Sequence, residues 1–343
     1  MTVTEKAYGL DPATGGLGRN HPAVAADLAT PHAPAGVVGY LVEGLARRRD
    51  AGLSPFTVLC CDNLPTNGRI VRRLVIEMAG ARDPALANWI AGEGAFPSSM
   101  VDRIVPAATE ETRARARSLL GVEDRLALDT EPFMQWVIED HFTLGRPRWE
   151  AGGALFVDDV EPYEKMKLRL LNGSHSMMAY LGQMKGLTYI RDVIAVPEYH
   201  DAVRRHMAAV LETLDPVPGV DLAAYQDQLI ERFSNPGVAH LTRQVAMDGS
   251  QKLPPRIMTP AVEELSRGKD ASAFAYVAAI WLSYLMKVED INDPRAAELK
   301  AAAARSTPDD PSAPFFELPG LFPQALVENR TWRDRVNAEM ARL

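Results

Sequence analysis

The chain has 343 residues, of which 47% are apolar and 24% charged, enough to bury the core of one large domain or two smaller ones. Its net charge of −8 is spread along interleaved acidic and basic residues, which disfavours a nucleic-acid-binding protein. Apolar runs of about 18 residues are absent from the sequence, and so is the charged-then-apolar start of a signal peptide; this disfavours membrane and secreted proteins.

The two cysteines, Cys60 and Cys61, are adjacent in the sequence. Adjacent cysteines rarely form a disulfide with each other, because the geometry is strained. A reducing compartment is the simplest explanation, so we predict a cytoplasmic protein.

Taken in chain order, the first part of the chain alternates between strand-like and helix-like segments. The predicted strands are 2–8, 56–61 and 100–105, and the predicted helices are 36–50, 69–81 and 110–120. The continuous apolar run at 56–61 (FTVLCC) is typical of a buried parallel strand. This alternation predicts a doubly wound α/β layer that ends near Asp158.

Beyond residue 160 the pattern favours helix almost throughout. The predicted helical segments are 161–183, 197–214, 221–233, 258–267, 271–287 and 294–304, and residues 305–319 are predicted to be an exposed loop. The sequence therefore predicts two domains, an α/β domain over 1–158 and an all-helical domain over 159–343.

The segment 161–181 (EPYEKMKLRLLNGSHSMMAYL) carries the most informative cluster of polar residues. On a regular α-helix, its chemically capable residues share an arc of about 140°; they are Glu164, Lys167, Asn172 and His175. The opposite flank presents apolar residues to the core, namely Met166, Leu170, Met177 and Leu181. The Asn172–Gly173 pair argues against an undisturbed helix, because both residues are poor helix formers.

This cluster suits redox chemistry between a carbonyl and an alcohol. A lysine in a dry pocket can exchange a proton with a substrate oxygen, and an amide N–H can stabilise a developing alkoxide. The histidine can hold a neighbouring hydroxyl, and the glutamate can tune the lysine or relay protons. From spacing alone, however, a solvated helix face is the commoner explanation for such residues.

Two further segments are candidates for ligand contacts. Asn63 follows the predicted strand 56–61, and ligands of open α/β sheets bind at the carboxyl ends of strands, although Asp-Asn-Leu-Pro is equally typical of a plain turn. The pair Asp102–Arg103 can simply be charged positions at a strand edge. The seven histidines show no metal-ligand spacing, and the glycine-rich stretch 15–20 (GGLGRN) is a poor match to a dinucleotide fingerprint.

Five separated motifs resemble the long-chain mannitol dehydrogenase family, which includes mannitol 2-dehydrogenase and fructuronate reductase (mannonate oxidoreductase). They are CDNLPTNGRIV (61–71), FPSSMVDRIVP (96–106), EPFMQWVIED (131–140), KMKLRLLNGSH (165–175) and AMDGSQKLPPR (246–256). The resemblance covers almost the whole chain. A 6-phosphogluconate-dehydrogenase-like enzyme also pairs a helical lysine with an asparagine, but the other four motifs do not fit it.

The resemblance implies a Rossmann-type domain, a helical domain and an active site to which both contribute. It implies NAD(H) or NADP(H) as cofactor, no metal, and a small sugar, polyol or sugar acid as substrate. The implied catalytic residues are Lys167 as general acid/base, Asn63 and Asn172 on the reacting oxygen, His175 on a substrate hydroxyl and Glu164 as proton relay. The implied substrate-binding residues are Asp102, Arg243 and Lys252, and the implied cofactor-binding residues are Asn63 and Asp102.

One departure from the family pattern concerns the start of the sequence. Family members open with a strand and a Gly-x-Gly turn that holds the pyrophosphate at a helix N-terminus. This sequence shows neither, so we expect an N-terminally incomplete Rossmann-type domain, with a complementing chain or a homo-oligomer covering exposed strand edges. The alternative is a truncated, non-catalytic remnant that acts at most as a binding module.

Within the family, residues 131–153 and the AMDGSQKLP segment resemble the fructuronate reductase branch more than the mannitol dehydrogenases. The two branches differ in whether the substrate carries a carboxylate or a hydroxymethyl group. A carboxylate favours a basic partner, and Arg243, Lys252 and Arg256 can supply one.

Overall fold

The computed structural model describes residues 1–11 and 14–343, apart from the side chain of Glu5. The chain divides into two compact units. The first unit comprises Met1–Asp102 and Met134–Glu164, and the second comprises Arg103–Phe133 and Lys165–Leu343. The predicted domain boundary at 158/159 stays a prediction.

The first unit combines helices with one small sheet. A single 3-10 turn, Glu5–Tyr8, precedes the helices α1 (Pro22–Ala29), α2 (Val37–Asp50), α3 (Asn67–Arg82) and α4 (Pro84–Glu93). The strands are β1 (Ser99–Asp102), β2 (Gln135–Glu139) and β3 (Ala154–Val157), with a 3-10 turn at Trp149–Gly152. The central strand β2 runs antiparallel to β1, with Met100 opposite Val137, and parallel to β3, with Trp136 opposite Ala154.

The helices of the first unit pack around one apolar core. Helix α2 contributes Val42 and Leu45, and helix α3 contributes Val71 and Leu74. These residues recur at the three- and four-residue spacing that lines one face of a helix, so the predicted helices 36–50 and 69–81 are confirmed.

Two of the three predicted strands are wrong, because a strand requires a run of backbone bonds to a neighbour. Residues 5–8 form a 3-10 turn, and residues 56–61 have no regular secondary structure. Their backbone bonds are isolated ones: Val58 N–H to Ala95 O, and a pair of bonds between Met1 and residues 59 and 61. The sheet instead uses β2 and β3, neither of which was predicted as a strand from the sequence. Only the prediction at 100–105 matches a strand.

The second unit is helical. It contains α5 (Glu110–Leu120), a π-helix (Lys167–Asn172) that follows α6 (Glu161–Met166), α7 (Gly173–Lys185), α8 (Ile190–Ile194), α9 (Pro197–Leu211), α10 (Leu222–Phe233), α11 (Thr242–Val245), α12 (Gly249–Leu253), a second π-helix (Pro254–Met258), α13 (Thr259–Ser266), α14 (Ser272–Lys287), α15 (Ala296–Arg305), α16 (Ala313–Phe316), α17 (Gln324–Glu328) and α18 (Arg330–Met340). The expectation of an α/β part followed by a helical part is confirmed.

Helix α14 is the centre of the second unit. Its residues are buried almost all round, as expected of a helix that is apolar on every side, and it packs against α7, α15 and α18. The predicted exposed loop 305–319 is partly wrong: α16 lies within it, and Phe315 and Phe316 are buried against the same core. The described helices include none with the length and apolar character that a bilayer crossing requires.

Candidate active site

The helical run that begins at Glu161 changes its geometry at Lys167. Residues Lys167–Asn172 form a π-helix, and the Gly173 N–H reaches back five residues to Leu168 O. A π turn holds more residues than an α turn, so the predicted 140° arc, which assumed a regular α-helix, does not apply beyond Lys167. The predicted disturbance at Asn172–Gly173 is confirmed. π turns of this kind are frequent at functional sites.

The chain is tightly packed at Gly173, which follows the end of this π-helix. A Cβ atom at Gly173 would lie 3.1 Å from His206 Nε2 and 3.4 Å from Ile257 Cδ1. Ile257 belongs to the second π-helix, Pro254–Met258, which contacts the first. The four apolar residues predicted for the core are all buried.

His175 is buried, with 6% of its surface exposed. Its ring centroid lies 4.6 Å from that of Phe233 and 5.1 Å from that of His240, which stands perpendicular to it. Among the described residues, its Nε2 has no hydrogen-bond partner.

Burial holds the pKa of His175 well below its ordinary value, and the charges of His240, Arg232, Arg256 and Lys167 lower it further. The imidazole is therefore neutral near pH 7. A neutral imidazole has one donor and one acceptor nitrogen, which suits a hydroxyl ligand.

Basic residues surround the His175–His240 pair within the second unit. Lys167, at the start of the π-helix, is half-buried, and its charge lowers the pKa of His175. Lys252 is half-buried on α12. The pKa of His240 is lowered to about 4, mainly by burial and also by the charge of Lys252. The structure thus brings together three of the predicted residues, Lys167, His175 and Lys252.

Asn172 ends the π-helix and is half-buried. Its side-chain Oδ1 lacks a hydrogen-bond partner within the described part of the chain. Its backbone carbonyl accepts hydrogen bonds from Ser176 Oγ at 3.1 Å and from Arg256 Nη1 at 3.4 Å. The backbone at Asn172 is therefore held by neighbouring side chains.

Arg243, predicted to bind substrate, is exposed on α11. It lines a cavity of about 610 Å³ together with Tyr284, Asp290, Asn292 and Asp293. Its placement among acids and amides differs from the basic surroundings of His175.

In the first unit, Asn63 precedes α3 and Asp102 lies on β1, and a side-chain link joins the start of α3 to the start of β1. Asn63 is exposed in the turn before α3, and Asp102 is buried at the end of β1. The fully buried Asn67 joins the two elements: its Nδ2 donates to Ser99 O and its Oδ1 accepts from Ser99 N–H, both at 3.0 Å.

Glu164 lies at the N-terminus of α3, where both carboxylate oxygens accept the Thr66 N–H at 3.0 and 3.1 Å. Burial is the main reason that its pKa is raised to about 7; Glu139, Glu161 and Asp159 contribute to the rise, and the Thr66 hydrogen bond opposes it. A carboxyl group with this pKa exchanges protons near neutral pH, as a proton relay must.

Sequence reasoning assigned no role to three residues that support this geometry. Glu131, in the EPF motif, forms a buried two-point ion pair with Arg232 at 2.7 and 2.9 Å, and Arg232 precedes the Phe233 that packs on His175. Asn67, which binds Ser99, is the third. These roles depend on partners distant in the chain, so no local pattern revealed them.

Across residues 1–11 and 14–343, no three His, Cys, Asp or Glu side chains come together as a metal site would require.

Comparison with known proteins identifies the family. A family model described as the mannitol dehydrogenase Rossmann domain matches residues 1–151, and one described as the mannitol dehydrogenase C-terminal domain matches residues 159–340. The chain belongs to the mannitol dehydrogenase family. The predicted family, the Rossmann-type first part and the enzyme class, an oxidoreductase of the polyol dehydrogenase type, are thereby confirmed.

Mannitol dehydrogenase relatives align over nearly the whole chain. The D-mannonate oxidoreductase of Escherichia coli K12 is 45% identical over 350 residues, which cover all of this chain and 72% of that protein. A mannitol 2-dehydrogenase of Phaeosphaeria nodorum is 42% identical, over 96% of this chain and 59% of its own length. Among solved structures, the Pseudomonas fluorescens mannitol 2-dehydrogenase in ternary complex with NAD and D-mannitol matches 98% of this chain and 70% of its own, with a TM-score of 0.85 and 35% identity.

Proposed function

We propose that this mannitol dehydrogenase family chain interconverts a 2-keto sugar acid and its aldonate, with fructuronate and mannonate preferred over fructose and mannitol. The observation that carries this proposal is the basic surroundings of the neutral His175–His240 pair, formed by Lys167, Lys252 and Arg256. Cationic groups in a partly buried site favour a substrate with a carboxylate. The 45% identity to a D-mannonate oxidoreductase supports the same choice.

Lys167 is the proposed general acid/base. In the oxidative direction, its neutral amine takes the hydroxyl proton of the substrate, and in the reductive direction its ammonium returns that proton. Asn172, whose amide ends the same π-helix, is proposed to donate to the reacting oxygen, with Asn63 assigned to the same oxygen by its motif.

The remaining predicted residues are proposed to bind the substrate or to relay protons. The neutral His175 holds a substrate hydroxyl, and Lys252 holds the carboxylate. Arg243 is proposed as a substrate-binding residue on its motif alone. Glu164 is proposed as the proton relay, because its pKa of about 7 lets it accept and release protons at neutral pH.

The residues of the first unit fit the nicotinamide end of NAD(H) or NADP(H). The exposed carboxamide of Asn63 precedes α3 and the buried carboxylate of Asp102 lies on β1, the two elements that the Asn67–Ser99 link joins, and such groups can bind the carboxamide and ribose of a dinucleotide. When bound, the nicotinamide supplies or accepts the hydride. Proton transfer by Lys167 and oxygen stabilisation by amides require no metal, so we propose a metal-independent reaction.

The test begins with an NADH titration followed by energy transfer from the five tryptophans to the nicotinamide. Saturable binding is expected, and kcat/KM should be at least about tenfold higher for fructuronate than for fructose, since a paired carboxylate contributes at least about 1.4 kcal/mol. The Lys252→Met variant should lose this preference while it retains turnover of fructose. Binding without turnover of either substrate would refute the proposed activity, and absence of binding would favour a non-catalytic role.

A further inference from the structure

Arg256 makes direct contacts with the backbone of the π-helix that carries Lys167 and Asn172. Its Nη1 donates to Ser176 Oγ at 2.9 Å and to Asn172 O at 3.4 Å, and Ser176 Oγ itself donates to Asn172 O at 3.1 Å. We infer that Arg256 is a positioning residue that fixes the π turn at Asn172 and so directs the Asn172 amide. This inference rests on the proposed function of Asn172.

The physical need for such a residue lies in the π turn itself. A π turn is wider than an α turn, and it is rare and occurs mostly as a single turn inside an α-helix. Where the π-helix passes into α7, a carbonyl at the junction benefits from a donor outside the helix. The guanidinium of Arg256 is a charged donor, and charge-assisted hydrogen bonds are stronger than neutral ones.

The main chain around Arg256 also packs close to the end of the first π-helix. A Cβ atom at Gly173, the first residue of α7, would lie 3.6 Å from Arg256 O and 3.4 Å from Ile257 Cδ1, so the second π-helix packs closely against the chain at this residue. The side chain of Arg256 therefore binds the Asn172 carbonyl, while its main chain packs beside Gly173. A small shift there would redirect the Asn172 amide, whose Oδ1 has no partner within the described residues.

This role differs from the substrate-carboxylate role that the sequence alone suggested for Arg256. A positioning residue affects the rate of the chemical step, whereas a carboxylate partner affects substrate affinity. A misplacement of about 1 Å in an active site can lower turnover about 100-fold. For Arg256→Met we therefore expect a kcat between about 10-fold and 100-fold lower, with KM within about threefold of wild type.

Matched variants separate the two roles. Arg256→Lys should recover part of kcat, because an ammonium can reach one of the two acceptors, and guanidinium ion should partly rescue Arg256→Ala. Arg169→Lys is the control: Arg169 lies on the same π-helix but pairs with Glu263 at 2.6 and 2.7 Å and with Thr213 O. It should lower stability and leave kcat within about twofold.

Crystal structures of wild type and Arg256→Met give a readout that does not depend on activity. We expect the π turn at 167–172 to be lost or displaced in the variant, with the Asn172 side chain moved. A large rise in KM with unchanged kcat would overturn the inference in favour of carboxylate binding. A lower kcat with an unchanged π turn would also overturn it. If the wild-type chain has no activity, the proposed function fails, and the structures alone still decide whether Arg256 holds the turn.

Discussion

Two regions of the molecule place a titratable side chain in a buried setting with opposite surrounding charge. In the first unit, the acidic region comprises Glu164 with Glu139, Asp159 and Glu161, and burial raises the pKa of Glu164 to about 7. In the second unit, the cationic region comprises His175 with Lys167, Arg232 and Arg256, and burial lowers the pKa of His175 well below its usual value.

In both regions burial and the neighbouring charges act in the same direction, and both favour the uncharged form of the central residue. The consequence differs, because a carboxylic acid with a pKa near 7 can exchange protons at neutral pH, whereas a histidine with a lowered pKa cannot. The comparison therefore supports the proposed proton relay at Glu164 and the proposed neutral hydrogen-bonding role of His175.

The largest expected effect comes from removing the lysine of the cationic region. Lys167→Ala should lower turnover about 10²- to 10⁴-fold, the usual contribution of a general acid/base, in a folded protein. The measurement is steady-state kcat beside a circular dichroism spectrum. Lys165→Ala, on helix α6, is the control and should retain turnover. Unchanged turnover in Lys167→Ala would remove Lys167 from the proposed role.

The second prediction tests how tightly α3 is packed; Thr66, which precedes this helix, binds Glu164 of the acidic region. A Cβ atom at Gly68, near the start of α3, would lie 2.3 Å from Phe96 O and 2.7 Å from Pro97 O. Gly68→Ala should lower the free energy of unfolding by about 3 kcal/mol. Gly92→Ala, in α4 with no atom within 4 Å of its Cβ position, should instead gain up to about 1 kcal/mol. Urea unfolding of both variants measures these changes in free energy. Equal changes in the two variants would contradict the close packing at Gly68.

The third prediction uses His206, whose pKa burial lowers to about 4. The unfolded chain takes up a proton below pH of about 6.5, so stability is present above that pH and is lost as pH falls toward 4. His206→Leu should reduce the slope of unfolding free energy against pH by about 1.4 kcal/mol per pH unit near pH 5. His141→Leu, at an exposed histidine, is the control. An unchanged slope in His206→Leu would show that His206 is protonated in the folded protein.

The fourth prediction concerns Glu164, for which stability is lost as pH rises and not as it falls. Because the pKa of Glu164 is raised to about 7, its contribution to stability is present below about pH 4.5 and is lost as pH rises through 7. Glu164→Gln keeps an acceptor for Thr66 N–H and should be more stable than wild type at pH 8 by about 2 kcal/mol, with little difference at pH 4. Thermal unfolding at the two pH values measures this, with Glu93→Gln as control. A wild type that is the more stable at pH 8 would show that Glu164 is ionised there without penalty.

The smallest expected effect is none at all. Neither region requires a metal for its proposed chemistry, so incubation with EDTA should leave turnover unchanged. Activity lost in EDTA and restored by zinc would overturn the metal-independent mechanism.

The sequence predicted those features that depend on local periodicity or on motif identity. Helices 37–50, 67–82 and 110–120 formed where the residue pattern indicated them, and the break at Asn172–Gly173 was visible from two poor helix formers. Strands were predicted less well, since residues 56–61 are apolar enough for a strand but make only isolated backbone bonds.

By itself, the sequence determined the family, the helical second part, the oxidoreductase class and the set of candidate site residues. Only the tertiary structure decided the π geometry between Lys167 and Asn172, the neutral state of His175 and the raised pKa of Glu164. The physical reason is that each of these depends on partners far along the chain, such as His206 and Arg256 beside the π-helix and Thr66 beside Glu164. Burial and long-range contacts set such properties, and a local pattern of residues does not contain them.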